Sequence, residues 1–208
     1  MVETETALTI LLTATLAVGL LAAAVLCGLL IWTKLHPGFG FWPAPDKTGW
    51  RHITAMSLFR TFCGSVVVYA VLAVIAQGWG HPLHYLLGLP VMAAAYGVTL
   101  WGYKSLGIEN TYCGADGLVT GGLYAYSRNP QYVSSVLATL GLAITAGSWT
   151  VLGLAGVLFG IYFLFAINEE RWLTRGYGRA FRDYMRRTPR FVGLRSLERA
   201  RQEILARG

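Results

Sequence analysis

Two short clusters in the sequence could do chemistry: Arg128-Asn129-Pro130 with Tyr132, shortly after Gly122-Leu-Tyr124, and Asn168-Glu169-Glu170. An arginine can grip a carboxylate through two parallel hydrogen bonds. Carboxylates in turn hold ammonium groups and diols. Asn129 donates and accepts hydrogen bonds but does not titrate, which argues against acid or base work at that position. Pro130 suits the first turn of a helix, so Asn129 should stand near the N-cap, beside backbone N–H groups that favour an anion. Glu169 and Glu170 end a long apolar run, and adjacent carboxylates at such a boundary are costly unless they are paired or used. Plainer readings stand beside these. The two acids could be solvated at headgroup level next to Arg171, one of them could hold Arg128 in place, and Arg128 could extend to lipid phosphate.

The polar stretch from Gly107 to Pro130 adds Gly114, Gly117, Gly121 and Gly122, with Glu109 and Asp116. Glycines allow backbone to approach a ligand closely, but this spacing matches no phosphate-binding loop. Of the three cysteines, Cys27 and Cys63 lie in apolar runs and read as small buried hydrophobes. Cys113 is a possible reactive thiol. No CxxC or Cys/His cluster points to a metal, and all four histidines precede the two clusters. No catalytic acid, base or nucleophile is assigned.

The elements that must position these residues are membrane helices. The mean hydropathy is +0.51 and only 13% of the 208 residues are charged, about half the usual share for a soluble domain. Long apolar runs predict spans at Ala7–Trp32, Ile53–Ala76, Leu83–Gly102, Tyr132–Ala146 and Trp149–Ile167. The fold class is therefore all-α: a polytopic membrane protein with about five transmembrane helices and a C-terminal cytoplasmic amphipathic helix. The fourth run is short, and Gly147-Ser148 should turn it tightly into the fifth, antiparallel to it. The first residues carry Glu3 and Glu5 and no base, so the first run reads as a retained span rather than a signal peptide.

Lys34, Lys47, Arg51, Lys104, Arg128 and the basic tail fall on one side of these spans, and the other side has no Lys or Arg. The positive-inside rule then puts the N-terminus outside and the C-terminus in the cytoplasm. Trp32, Trp79, Trp101, Trp149 and Trp172 sit at span ends, and Arg60 alone lies within a span. The Pro-, Gly- and aromatic-rich segment His36–Asp46 should lie as a loop on the cytoplasmic membrane face. Arg171, Arg175, Arg179, Arg182 and Arg186 share one helical face, opposite Leu173, Tyr177, Ala180, Phe181 and Tyr184. Because this basic tail follows an apolar run, its partner should be the membrane surface and not nucleic acid. Gly176 and Gly178 could kink it. Gly153, Gly156 and Gly160 offer small-residue surfaces for packing within or between chains.

The order Gly122-Leu-Tyr124, Arg128-Asn-Pro130-x-Tyr132, a helical hairpin, Glu169-Glu170-x-x-Leu173, Tyr177-Gly178, Tyr184 and Pro189-Arg190-Phe191 resembles the isoprenylcysteine carboxyl methyltransferase and phospholipid methyltransferase superfamily. The resemblance covers roughly 118–192. Residues 1–105 supply the first three hydrophobic helices, and the resemblance implies a cofactor-binding core within 106–208. The implied cofactor is S-adenosylmethionine, held by Leu118, Val119, Gly122, Tyr124, Arg128, Asn129, Pro130, Tyr132, Glu169 and Glu170. Arg60, Tyr184 and Arg190 are weaker candidates for the substrate. The family's usual histidine before the proline is Asn129 here. The implied activity is methyl transfer to a lipid or lipophilic acceptor at the cytoplasmic side, with no metal. Two alternatives remain open: an NADPH-dependent sterol-type reductase, and a non-enzymatic membrane scaffold with a lipid-binding tail.

Overall fold

The computed structural model of the chain describes residues 2–78, 80–106 and 117–206. The expectations for Trp79, Gly107, Glu109, Cys113, Gly114 and Asp116, and for the side chain of Lys104, lie outside the described residues. Among the described residues all regular structure is helical. α1 is Val2–Leu35, α2 Trp50–Gln77, α3 Pro82–Leu106, α4 Pro130–Ala146, α5 Trp149–Arg187 and α6 Leu194–Leu205, with a short 3-10 turn at Gly122–Ala125.

Four of these helices are long and apolar enough to cross a membrane: α1 over Glu3–Leu35, α2, α3 over Pro82–Gly102, and α5. The chain is a multi-pass membrane protein. α4, expected as one of about five spans, has 17 residues, or roughly 25 Å at the helical rise against a hydrocarbon core of about 30 Å. Its ends are set by local chemistry. Pro130 occupies the first turn, where a missing N–H is harmless, and Gly147 ends the helix with φ 58°. The Ser148 side chain then caps α5, accepting from the Val151 N–H at 3.4 Å.

α1 and α2 pair with each other, and α5 packs against α1, α2 and α4. The expected hairpin of α4 and α5 forms, but α4 makes its largest interface with α3. Two glycines allow this. A Cβ on Gly88 would come within 2.6 Å of the Gly141 carbonyl oxygen, and one on Gly141 within 2.7 Å of the Met92 nitrogen. Thr99 and Ser134 hydroxyls, 2.8 Å apart, add a polar tie across the same pair. The glycines singled out in sequence, Gly153, Gly156 and Gly160, have nothing within 4 Å of a built Cβ, so they do not serve packing within this chain.

The 36–46 loop departs from its expected place on the membrane surface. Phe41 and Trp42 are buried among Leu30, Ala55, Phe62 and Phe165 in the main core. Burying two large rings is favourable, and the indole N–H finds an acceptor inside. The loop ends in an Asx turn, with Asp46 Oδ1 accepting from the Thr48 N–H (2.9 Å) and hydroxyl (2.8 Å) just before α2. These bonds to the charged form hold the Asp46 carboxyl below its ordinary value.

α5 is long because it continues past the apolar run, and it is anchored where that run ends. Buried Asn168 donates to the Leu30 carbonyl at 3.2 Å and to the Leu164 carbonyl at 2.9 Å. Arg171 donates to the carbonyl of Lys34 at 3.0 Å, at the C-terminus of α1. Further along, Gly178 takes φ 52° and ψ −117°. That conformation suits only glycine, and it bends the end of α5, so Phe181 and Tyr184 turn inward.

Candidate functional site

Glu169 leaves α5 into a group of aromatic rings. Trp42 Nε1–H donates to Glu169 Oε1 at 2.8 Å, and the Tyr132 hydroxyl donates to the same oxygen at 2.7 Å. Oε2 has no hydrogen-bond partner among the described residues. Tyr132 stacks on Tyr162 with centroids 4.3 Å apart. Phe59 packs on both Tyr162 and Phe165, and Phe165 on Trp42, with centroids 5.0 to 5.8 Å apart. The spacing of Tyr162, Phe165, Ala166 and Glu169 puts all four on one face of α5.

Glu170 does different work. It meets Arg190 through two bonds, Nε to Oε1 and Nη2 to Oε2, each 2.8 Å. Arg128 Nη1 also lies 2.8 Å from Glu170 Oε1. Arg128 Nε is buried with no partner among the described residues, as is the Nε2 of Gln131. Burial holds the Arg128 guanidinium below its usual value, partly offset by Glu170 and reinforced by Arg190. The hydrogen bonds Arg190 donates to Glu170 raise the Arg190 guanidinium above its usual value. Both guanidiniums stay charged at any physiological pH.

The segment bearing Arg128 is clamped to the end of α5. The Arg128 N–H donates to the Pro189 carbonyl at 2.9 Å. The Asn129 side-chain amide donates to the Arg190 carbonyl at 3.0 Å, and the Ser127 hydroxyl reaches the same oxygen at 3.3 Å. Asn129 is the N-cap residue of α4, without a side-chain capping bond. The Tyr184 hydroxyl donates to the Tyr124 carbonyl at 2.6 Å. Tyr124, Phe181 and Tyr184 form a second small core, packed by Leu118, Val119, Leu173 and Tyr177.

These parts enclose a cavity of about 310 Å³, in the range of small-molecule sites. Its wall includes Leu118, Val119, Tyr124, Arg128, Asn129, Tyr132, Glu169 and Glu170, together with Arg60 and Tyr184. Gly122, Pro130 and Arg190 stand outside that wall: Gly122 opens the 3-10 turn, Pro130 starts α4, and Arg190 braces Glu170 from behind. Sequence reasoning missed Trp42, Met56, Phe59, Gln131, Tyr162 and Phe165, which also line it. For Tyr162 and Phe165 a signal was present, since they precede Glu169 by seven and four residues. For Trp42 and Phe59 nothing local pointed to the cavity. The carboxylate and the ring faces can bind an organic cation, and Arg128 and Gln131 can donate to an anion.

Residues 83–180 match the phospholipid methyltransferase family model. The chain is 34% identical over 144 residues to the cobalt-zinc-cadmium resistance protein CzcN of Cupriavidus metallidurans, covering 64% of this chain and 63% of that protein. It is 38% identical over 73 residues to phosphatidylethanolamine N-methyltransferase B of Dictyostelium discoideum, covering 32% of this chain and 36% of that protein. It is 34% identical over 89 residues to the nickel-cobalt-cadmium resistance protein NccN of Alcaligenes xylosoxydans xylosoxydans, covering 42% and 41%. The chain thus spans less than two thirds of the length of each of these relatives. No solved structure matches it.

Proposed function

We propose that this chain, a member of the superfamily of integral membrane methyltransferases, moves a methyl group from S-adenosylmethionine to a lipid or lipid-like acceptor. The observation that carries the reading is Glu169: a carboxylate set among Trp42, Tyr132, Tyr162 and Phe165, with one oxygen bonded and the other left over. The residues fit the cofactor. A positively charged sulfur suits ring faces beside a carboxylate, and the orphaned donors of Arg128 and Gln131 suit the amino acid carboxylate.

S-adenosylmethionine, when bound, supplies a methyl carbon on a positively charged sulfur, which an electron-rich acceptor can displace in line. Glu169 and the rings would hold that charge in place, and Arg128, fixed by Glu170, would hold the amino acid carboxylate. Leu118, Val119, Phe181 and Tyr184 would keep water from the reacting atoms. No side chain has to move a proton for a carboxylate or thiolate acceptor. Arg60 reaches the cavity from α2 and forms no ion pair among the described residues, so it suits an acidic group on the acceptor. The Lys and Arg distribution supports a cytoplasmic site, with the N-terminus outside.

Two relatives are named for metal resistance. The donor set here, Glu169 among aromatic rings and Glu170 taken up by arginines, suits an organic cation rather than a metal ion. The test is incorporation of labelled methyl from S-adenosylmethionine into a total lipid extract by membranes containing the protein. A labelled product with wild type, and at least severalfold less with Glu169→Gln at S-adenosylmethionine concentrations below saturation, is expected. Saturable NADPH binding without S-adenosylhomocysteine binding would instead favour a reductase.

A further inference from the structure

The basic face expected from the sequence ends at Arg186, and the chain forms another helix beyond it. On α6, Leu194, Leu197, Ile204 and Leu205 are between 62% and 78% exposed, and they fall within an arc of roughly 100°. Val192, just before the helix, is exposed on its approach. The facing side of α6 is the one that docks. The Ser196 hydroxyl donates to the Tyr126 carbonyl at 2.6 Å, the Tyr126 hydroxyl donates to Glu203, and Arg199 lies 6.0 Å from the Tyr126 ring centroid. The apolar arc is therefore not buried by the described residues.

The segment leading into α6 shows where that arc lies. Phe191 packs on Phe159 and Phe163, with centroids 5.1 and 6.5 Å away. Both partners are on the outer surface of α5, 45% and 40% exposed, and they precede Glu169 by roughly 15 and 9 Å along the helix axis. Phe191 is thus seated on the lipid-facing side of a spanning helix, and α6 starts from that level. Of the arginines on α6, Arg201 shares the arc's face, while Arg195 donates to the Arg186 carbonyl and Arg199 pairs with Glu203. Arg201 interrupts the arc, with a stem long enough to carry its charge to phosphate.

We propose that α6 is a membrane-surface latch whose apolar arc enters the headgroup layer of an anionic bilayer on the side where α5 emerges. Tyr126, which α6 grips, lies between Tyr124 and Arg128 of the cavity wall, so lipid docking also steadies that wall. This last consequence rests on the proposed function; the docking itself does not.

The test uses the full chain in vesicles of mixed phosphatidylcholine and phosphatidylglycerol, with the native cysteines replaced by alanine. Nitroxide labels are placed at Leu197→Cys and Ile204→Cys, and at Glu198→Cys and Gln202→Cys as controls. The first pair should relax faster with oxygen than with a water-soluble nickel chelate, and the controls the reverse. Nickel access equal to the controls would overturn the proposal, as would immobile labels shielded from both agents, which would mean a protein partner or a second copy. A second arm keeps the cysteines. Trypsin should cut after Arg199 and Arg201 several-fold faster in Leu197→Glu/Ile204→Glu than in wild type, and equal rates would count against the latch.

Discussion

Glu170 sits between two guanidiniums, with side chains 14% exposed for Glu170, 12% for Arg128 and 31% for Arg190. Removing one partner of a buried pair leaves a charge unpaired, at about 3–5 kcal/mol when burial is complete. Because Arg190 keeps some water, Glu170→Ala should lose about 2–4 kcal/mol, and Arg190→Ala about 1–2 kcal/mol, since Arg128 still faces Glu170. Thermal melting of the purified variants checks the order; equal losses would mean that Arg128 does not depend on Glu170. The two clusters read from the sequence thus meet in space, with Glu170 holding Arg128 and Glu169 turned to the cavity. This much was legible because both clusters flank one hairpin, and a short turn brings its ends together. Trp42 was not legible. It lies 127 residues from the carboxylate it bonds, in a loop whose prolines and glycines describe a turn and not a destination.

At the scale of elements, glycines separate what the sequence could show from what it could not. A kink near Gly176 and Gly178 was legible, because two helix-weakening residues stand close together. The structure assigns it to Gly178, at φ 52°. Gly178→Ala should cost about 1–3 kcal/mol and loosen the Phe181 and Tyr184 side of the cavity. Gly176→Ala, with open space around its Cβ position, should be neutral or stabilise by about 0.5–1 kcal/mol. Melting curves and cofactor affinity together test this pair. The α3–α4 contact was not legible. Gly88 and Gly141 are solitary in sequence, and the Gly153 to Gly160 series that resembles a packing motif faces outward. Gly88→Ala should therefore destabilise strongly, by about 2 kcal/mol or more, because its Cβ would meet backbone at Gly141. Gly156→Ala should melt within about 0.5 kcal/mol of wild type; a large loss there would place a second chain on that face.

The molecule as a whole joins a membrane body to a chamber built at one end of it. Hydropathy revealed the long helices, since apolar length is a property of the chain itself. It marks α4 less sharply, since its 17 residues end at a proline and a left-handed glycine. The chamber takes Trp42 and Phe59 from the first half of the chain and Arg128, Tyr132 and Glu169 from the second, so neither half holds the site alone. In the proposed function, the half-buried Glu169 carboxylate recognises positive charge on sulfur. Both bonds to Glu169 fall on Oε1, so Glu169→Gln can keep both and lose only the charge. S-adenosylmethionine and S-adenosylhomocysteine differ at the sulfur by that charge and one methyl. Titrating both ligands into wild type and Glu169→Gln should show the affinity for S-adenosylmethionine falling about tenfold or more, near 1.4 kcal/mol, while that for S-adenosylhomocysteine changes far less. An equal fall for both ligands, or no saturable binding of either to the wild-type chain, would contradict the account.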